Sequence, residues 1–312
     1  LNYDTAHAEE ELARRSTTFL DEKNIAPLRI RFNAYNRFFH LVLRPISPDS
    51  PSFTEDFKVF MNNTHHVIRP NLFLYEGYVK GDPKSLVYGS LFDGIFDGHI
   101  YLSDGNSFTI EKAAKYYSAH ERTFHSIIFH ENERHMRSVK PLPVNLYAPY
   151  SYKDESLADF AARRARRYIF DKDAMGRYNG RTCNMHLQAD HRLYAHVFDK
   201  EGMNDPIRTL EEIVSMFYVH MRFANEVFET SIFNGVQGIN FAIKQISIFT
   251  PDECSRQHSQ YRTCKNHPDI GKYFKAFSGT DYSHFCLSYG FTYNQFQGVT
   301  IGMANTAHRL EG

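Results

Sequence analysis

Hydrophobic and polar residues alternate with a period of two through much of the first 130 residues. Leu28–Phe32 and Phe39–Leu43 each place apolar residues at every second position, and the turn residues 33–36 lie between them, which predicts an antiparallel hairpin. In 86–110, glycines separate short apolar runs, as in a meander with tight turns. Residues 124–129 add a further strand, so that about six short strands predict a small barrel or sandwich.

The pattern changes to mixed helices and strands after residue 180. A long helix is expected where apolar residues recur on one face behind an early proline. The predicted elements are a strand at 184–193, a helix at 206–233, a strand at 239–248, a polar loop at 250–272, and strands at 282–289 and 299–304. Strand, helix and strand in this order predict a crossover unit on a mostly parallel sheet.

A segment without apolar periodicity separates these two regions. Residues 132–167 contain three prolines and several serines, and they end in a run of arginines. We therefore predict a multidomain α+β protein with a β-rich domain at 1–131, an exposed linker at 132–167 and an α/β domain at 168–312.

Composition excludes several classes of protein for this 312-residue chain. Hydrophobic residues make up 42% and charged residues 23%, which is ordinary for a globular protein. The 36 basic and 36 acidic residues balance, so no global field attracts nucleic acid, and we expect no nucleic-acid partner. No run approaches the roughly 20 apolar residues of a membrane-spanning helix.

The arginine run predicts a proteolytic processing site. A subtilisin-like proprotein convertase of the secretory pathway requires arginine at the first, second and fourth positions before the cut, where acidic pockets bind the guanidinium groups. Arg167, Arg166 and Arg164 occupy these positions. A solvated helix face or a basic patch is the alternative, but the end of a linker between two domains favours cleavage after Arg167.

All four cysteines lie after residue 180, and secretion would make disulfides their default state. Four cysteines allow three pairings, in which Cys183 and Cys286 could join neighbouring strands and Cys254 and Cys264 could close a loop. The alternative is a zinc site formed by Cys254, His258, Cys264 and His267, although this spacing matches no common zinc finger or ribbon.

Other motifs are weak or negative. The run His130-Glu131-Asn132-Glu133-Arg134-His135 places its second histidine one position too late for a zinc-protease helix, and no His-Glu-x-x-His occurs in the 312 residues. Neither a phosphate-binding glycine loop nor a Gly-x-Ser-x-Gly elbow is present. Asn62-Asn63-Thr64 is a glycosylation sequon at Asn62.

Several motifs, in order, resemble a known family. The runs are Tyr88-Gly89-Ser90-Leu91-Phe92-Asp93-Gly94-Ile95-Phe96-Asp97-Gly98-His99-Ile100, then Phe124-His125-Ser126-Ile127-Ile128-Phe129-His130-Glu131, the convertase site, Thr182-Cys183-Asn184-Met185-His186-Leu187-Gln188-Ala189-Asp190-His191, Tyr282 to Tyr289, and Gly298-Val299-Thr300-Ile301-Gly302-Met303-Ala304. Together they resemble precursors of the disintegrin-and-metalloproteinase family, in its Kuzbanian or alpha-secretase branch. The resemblance covers nearly the whole chain.

The resemblance implies an inhibitory prodomain followed by the first part of a metzincin protease domain. It implies a disulfide between Cys183 and Cys286. It also implies that Thr300, Ile301, Gly302 and Met303 lie on the edge strand that pairs with an extended substrate. In this family the zinc-binding helix follows that strand, so the zinc cofactor and the catalytic residues are expected beyond residue 312, and the chain alone is expected to be inactive.

Two functions are compatible with these features. The first is the precursor of a membrane-anchored zinc endopeptidase of the secretory pathway and cell surface, which sheds the ectodomains of cell-surface proteins, as in the Notch pathway. Its anchor would lie in a missing C-terminal part. The second is a non-catalytic secreted protein that inhibits or chaperones a full-length protease. The resemblance implies that the prodomain keeps the protease inactive, in many family members through a cysteine thiolate that binds the zinc. Residues 1–167 contain no cysteine, so inhibition would rest on the shape of the prodomain or on a thiol further upstream.

Overall fold

The computed structural model describes residues 1–6, 8–10, 26–118, 120–131, 182–233, 237–255, 262–265, 267, 269–296 and 302–304. Its residues form two compact units. The first unit comprises Leu1–Ser52, Arg69–Thr182 and Val214–Asn240, and the second comprises Phe53–Ile68, Cys183–Ile213 and Phe241–Gly312. Each unit thus combines segments from both halves of the sequence. The linker and the domain boundary expected at 132–168 lie outside the described residues.

The regular structure of the described residues includes the following strands and α-helices. The strands are β1 (Leu28–Ala34), β2 (Arg37–Pro45), β3 (Phe53–Met61), β4 (Thr64–His66), β5 (Leu74–Val79), β6 (Asp82–Phe92), β7 (Ile95–Tyr101), β8 (Ser107–Lys112), β9 (Ser126–His130), β10 (Thr182–Ala189), β11 (Asn240–Ile248) and β12 (Leu287–Phe291). The helices are α1 (His191–Lys200), α2 (Pro206–Phe228), α3 (Pro251–Ser255) and α4 (Ile270–Ser278).

The first unit contains a seven-stranded antiparallel sheet in the order β1-β2-β5-β6-β7-β8-β9. The sheet curls, so that the His130 amide of β9 donates a hydrogen bond to the Tyr35 hydroxyl in the turn after β1, 3.2 Å away. Its alternating apolar residues form one core, in which Phe39 lies 5.0 Å from Phe32 and 5.3 Å from Phe108 between ring centroids. The fold is therefore β-rich, as the alternation predicts, and it takes the form of a curled sheet.

Close backbone approach at the middle of this sheet requires glycine. Gly89 of β6 and Gly98 of β7 face each other in register. A Cβ at Gly89 would lie 2.2 Å from the Asp97 carbonyl oxygen and 2.7 Å from the Gly98 Cα. No side chain fits at such distances, which explains the glycines of this motif physically.

The second unit contains a five-stranded sheet in the order β12-β10-β11-β3-β4. Strand β12 runs parallel to β10, and β3 runs parallel to β11, while β4 returns antiparallel beside β3. The parallel pairing of β10 with β12 agrees with the mostly parallel sheet predicted for the second half. The sequence did not indicate that β3, from the first half of the chain, would belong to this sheet.

Several predicted elements end at different residues in the structure. The strand predicted at 184–193 ends at Ala189, because the Asp190 side chain accepts hydrogen bonds from the Arg192 and Leu193 amides and starts α1. The helix predicted to reach residue 233 ends at Phe228. The loop predicted at 250–272 contains α3 and the start of α4. Among the described residues, no helix is both long enough and apolar enough to cross a membrane.

Candidate functional site

The centre of the second sheet holds a buried histidine. His186 lies on β10, and its Nδ1 is 2.7 Å from the Ser288 hydroxyl on β12, while its Nε2 is 2.9 Å from the Ser247 hydroxyl on β11. The rings of Tyr282 and Phe285 lie 5.0 Å from the imidazole. Burial lowers the pKa of His186 to about 4. The imidazole is therefore neutral at neutral pH and joins three adjacent strands.

A second polar contact fixes the end of the same strand. Asp190 is 1% exposed, and it caps α1 through the Arg192 and Leu193 amides. Its other carboxylate oxygen accepts a 3.1 Å hydrogen bond from the Tyr273 hydroxyl on α4. Burial, followed by the nearby Asp190 charge, raises the pKa of Tyr273. This contact positions both helices relative to β10.

Two disulfides lie in the second unit. Cys183 at the start of β10 is bonded to Cys286, just before β12. This disulfide joins the two parallel strands beside the first paired residues, Met185 and Leu287. Cys254 is bonded to Cys264 and closes the segment after α3. The described residues include no free cysteine.

The residues brought together at the second disulfide do not fit a zinc site. His191, Cys254 and Cys264 place their ligand-type atoms within 4.8 Å of one another. Zinc binds cysteine as the thiolate, and here each sulfur is bonded to the other. Of the predicted alternative array, His267 is hydrogen-bonded through Nε2 to the Arg262 carbonyl oxygen at 3.0 Å, and His258 lies outside the described residues.

The other predicted site residues are placed as follows. Asn62 lies in the turn between β3 and β4, and its side chain contacts Thr250. Gly302 and Met303 are exposed and form no strand, while Thr300 and Ile301 lie outside the described residues. Arg164, Arg166 and Arg167 also lie outside the described residues, so their role stays a prediction.

A buried polar cluster occurs in the first unit, on the face of the sheet that meets α2. Glu76 of β5 accepts a hydrogen bond from the Tyr218 hydroxyl and pairs with Arg222 at 3.3 Å. The Arg222 guanidinium carbon lies 5.4 Å from the centroid of the Tyr88 ring. His99 of β7 lies beside Phe223, with ring centroids 5.8 Å apart. Helix α2 is thereby held to this sheet by charged as well as aromatic contacts.

Sequence reasoning missed the contacts of His186, Asp190 and Asn62. Asp190 carried a usable signal, since an aspartate directly before a short apolar-periodic run is typical of a helix N-cap. His186 carried none, because a histidine in a strand does not reveal which hydroxyl groups the neighbouring strands present.

Comparison with known proteins places these features in a family. Residues 179–309 match the model Reprolysin_5, metallo-peptidase family M12. This part of the chain is thus similar to the M12 metallo-peptidases.

The full chain is similar to particular members. It is 38% identical over 335 residues to the disintegrin and metalloproteinase domain-containing protein 10 homolog of Caenorhabditis elegans, covering 97% of this chain and 36% of that relative. It is 24% identical to the human and 25% identical to the mouse disintegrin and metalloproteinase domain-containing protein 10, covering 97% of this chain and 39% of each. These similarities confirm the resemblance to the Kuzbanian branch of the disintegrin-and-metalloproteinase family. It spans well under half the length of these relatives.

Proposed function

We propose that this chain is the prodomain and the first part of the protease domain of a zinc metalloendopeptidase that sheds ectodomains of cell-surface proteins. The observation that carries the proposal is similarity over 97% of the chain to disintegrin and metalloproteinase 10 proteins, on both sides of the predicted convertase site. A non-catalytic inhibitor or chaperone is not favoured, because residues 179–309 match a peptidase family.

The described residues supply a framework for such a site. His186 and the Cys183–Cys286 disulfide link β10 to its neighbours β11 and β12, and Asp190 joins the end of β10 to α4. A bound zinc would supply an activated water as the nucleophile. The residues of this chain that the structure describes form no zinc site, so their role is to hold the sheet and position what lies beside it.

Latency and maturation form part of the proposal. A proprotein convertase cuts after Arg167 in the secretory pathway, and the parent protein reaches the cell surface as a single-pass membrane protein. Since residues 1–167 contain no cysteine, latency rests on the shape of the prodomain or on a zinc-binding thiol upstream of Leu1.

The test uses the complete gene product that contains this chain. It is expressed in cells together with a membrane-tethered reporter ectodomain, and the soluble reporter is measured in the medium. We expect release that a zinc chelator abolishes and that the double substitution Arg166→Ala and Arg167→Ala reduces strongly. Release no greater than in cells without the protein would overturn the proposal.

A further inference from the structure

The second sheet is completed by a hairpin from the first half of the chain. Strand β3 pairs with β11 in parallel, with Gln245 opposite Lys58 and the register continuing to Ile248 opposite Met61. These partners lie almost 190 residues apart in sequence. No short loop connects β3 to β11, so their pairing depends on the non-covalent contacts between them.

The hairpin occupies one edge of β11 in the sheet. Ile243, Ile246 and Ile248 of β11 are fully buried, and Val59 of β3 is 1% exposed beside them. On the far side, β4 is a three-residue strand of sequence Thr-His-His whose residues are largely exposed. The sheet thus ends on a short polar strand, which is one way in which natural sheets avoid unwanted strand pairing.

Hydrogen bonds from the turn of the hairpin fix the register of β3 along β11. The Asn62 side-chain Nδ2 donates to the Thr250 hydroxyl at 2.7 Å, and the Thr250 backbone amide donates to the Asn62 side-chain Oδ1 at 3.0 Å. The Asn62 backbone amide also donates to the Ile248 carbonyl at 3.0 Å. Since Thr250 follows β11 directly, these bonds fix where β3 stops along β11.

We propose that the hairpin Phe53–His66 is a strand-addition latch, which keeps the N-terminal part of the precursor bound to the β11 edge after the linker is cut. The β11 edge is the acceptor surface, its occupant is this segment in parallel register, and Asn62 is the residue that sets the register. Removal of the hairpin would open β11 to another extended peptide.

The latch rests on the proposed function only in supposing that the chain is cut between its two halves. Its test therefore uses an engineered cut. A recognition sequence for a site-specific protease is placed within 132–167 of the complete chain, and backbone amide exchange of β3, β10 and β11 is followed by mass spectrometry before and after cutting. Failure of a convertase to cut at Arg167 would not affect this measurement.

The matched variants are Asn62→Gly and Asn63→Gly. Both residues have positive φ, +50° and +65°, which glycine adopts readily, so the turn is preserved in each. Only Asn62→Gly removes the contact with Thr250. Thr64→Val destroys the glycosylation sequon but keeps the Asn62 side chain, and Thr250→Val removes the acceptor from the other side.

We expect β3 and β11 to remain protected after the cut in the unsubstituted chain and in Asn63→Gly and Thr64→Val. Asn62→Gly should exchange at β3 roughly tenfold faster, as expected from the loss of about two net hydrogen bonds, and Thr250→Val should exchange faster by a smaller factor. Strand β10 should stay protected throughout and report folding. The proposal is overturned if β3 loses protection on cutting in the unsubstituted chain, or if Asn62→Gly and Asn63→Gly exchange alike.

Discussion

Arg222 and Glu76 form an ion pair, 3.3 Å between Nε and Oε1, that joins helix α2 to strand β5 in the first unit. The Arg222 side chain is 9% exposed and that of Glu76 is 23% exposed. Residue 222 lies in the predicted protease half and residue 76 in the predicted prodomain. A partly buried charge pair thus connects the two halves of the sequence within one compact unit.

Replacement of Arg222 by alanine should destabilise the first unit by about 1–3 kcal/mol. A fully buried pair that loses one partner costs about 3–5 kcal/mol, and the exposure of Glu76 reduces that figure. Urea unfolding, followed by circular dichroism, measures the change. Val227→Ala, at an exposed position on the same helix, is the control. Equal midpoints for the two variants would contradict a stabilising role for the pair.

Acidification should destabilise the second unit through His186. Its pKa is about 4 in the folded chain and 6.5 in the unfolded one, so the unfolded state binds more protons between these values. Stability is therefore complete above pH 6.5 and falls as the pH decreases towards 4, by about 2 kcal/mol at pH 5. Thermal unfolding across this range measures the effect.

The matched variants for this pH dependence are His186→Gln and His65→Gln. His186→Gln should flatten the dependence of the unfolding temperature on pH between 7 and 5, whatever its stability at pH 7. His65 is exposed on β4, and its replacement should leave the dependence unchanged. An unaltered pH dependence in His186→Gln would show that another group is responsible.

Gly89→Ala should prevent correct formation of the first sheet. The added methyl group would meet backbone atoms of Asp97 and Gly98, which cannot move without disrupting the β6–β7 pairing. We expect a loss of more than about 3 kcal/mol, seen as a lower yield of soluble protein and an earlier unfolding transition. Gly302→Ala, where no atom of the described residues lies within 4 Å of the new Cβ, should behave as the unsubstituted chain. Normal stability of Gly89→Ala would refute the argument from close approach.

Convertase cleavage should depend on some arginines of the run and not on others. We expect Arg167→Ala and Arg164→Ala to abolish or strongly slow cleavage of the purified chain, because the enzyme binds the first and fourth positions before the cut. Arg163→Ala, one position further away, should be cut normally. The new N-terminus, Tyr168, is identified by mass spectrometry. Rapid cleavage of Arg167→Ala would show that the predicted site is wrong.

Local patterns predicted the elements whose contacts are close in sequence. The hairpin of β1 and β2 and most of α2 follow directly from period-two and helical spacing, and the structure confirms both. The sequence analysis did not predict strand β3, although Phe53, Phe57 and Val59 are separated by polar residues and lie on the same side of an extended strand. Its neighbour β11 lies far away in sequence, and no local pattern indicates which sheet edge a strand will join.

The candidate site was predictable to a smaller extent. The disulfide between Cys183 and Cys286 was implied by the family resemblance, and the structure contains that bond. The neutral state of His186 and the bonds of Asn62 to Thr250 depend on partners 61 to 188 residues away. Such contacts are created by the tertiary fold, so residue type and spacing alone could not reveal them.

The most direct test of the central claim is activation of the purified parent ectodomain, which includes this chain, by a proprotein convertase. Hydrolysis of a fluorogenic peptide is measured before and after treatment, with and without a zinc chelator. The account predicts little hydrolysis before the cut, an increase after it that the bound hairpin limits and that Asn62→Gly enlarges, and loss of that activity with chelator or in Arg167→Ala. Equal activity before and after the cut, or activity that persists in chelator, would contradict it.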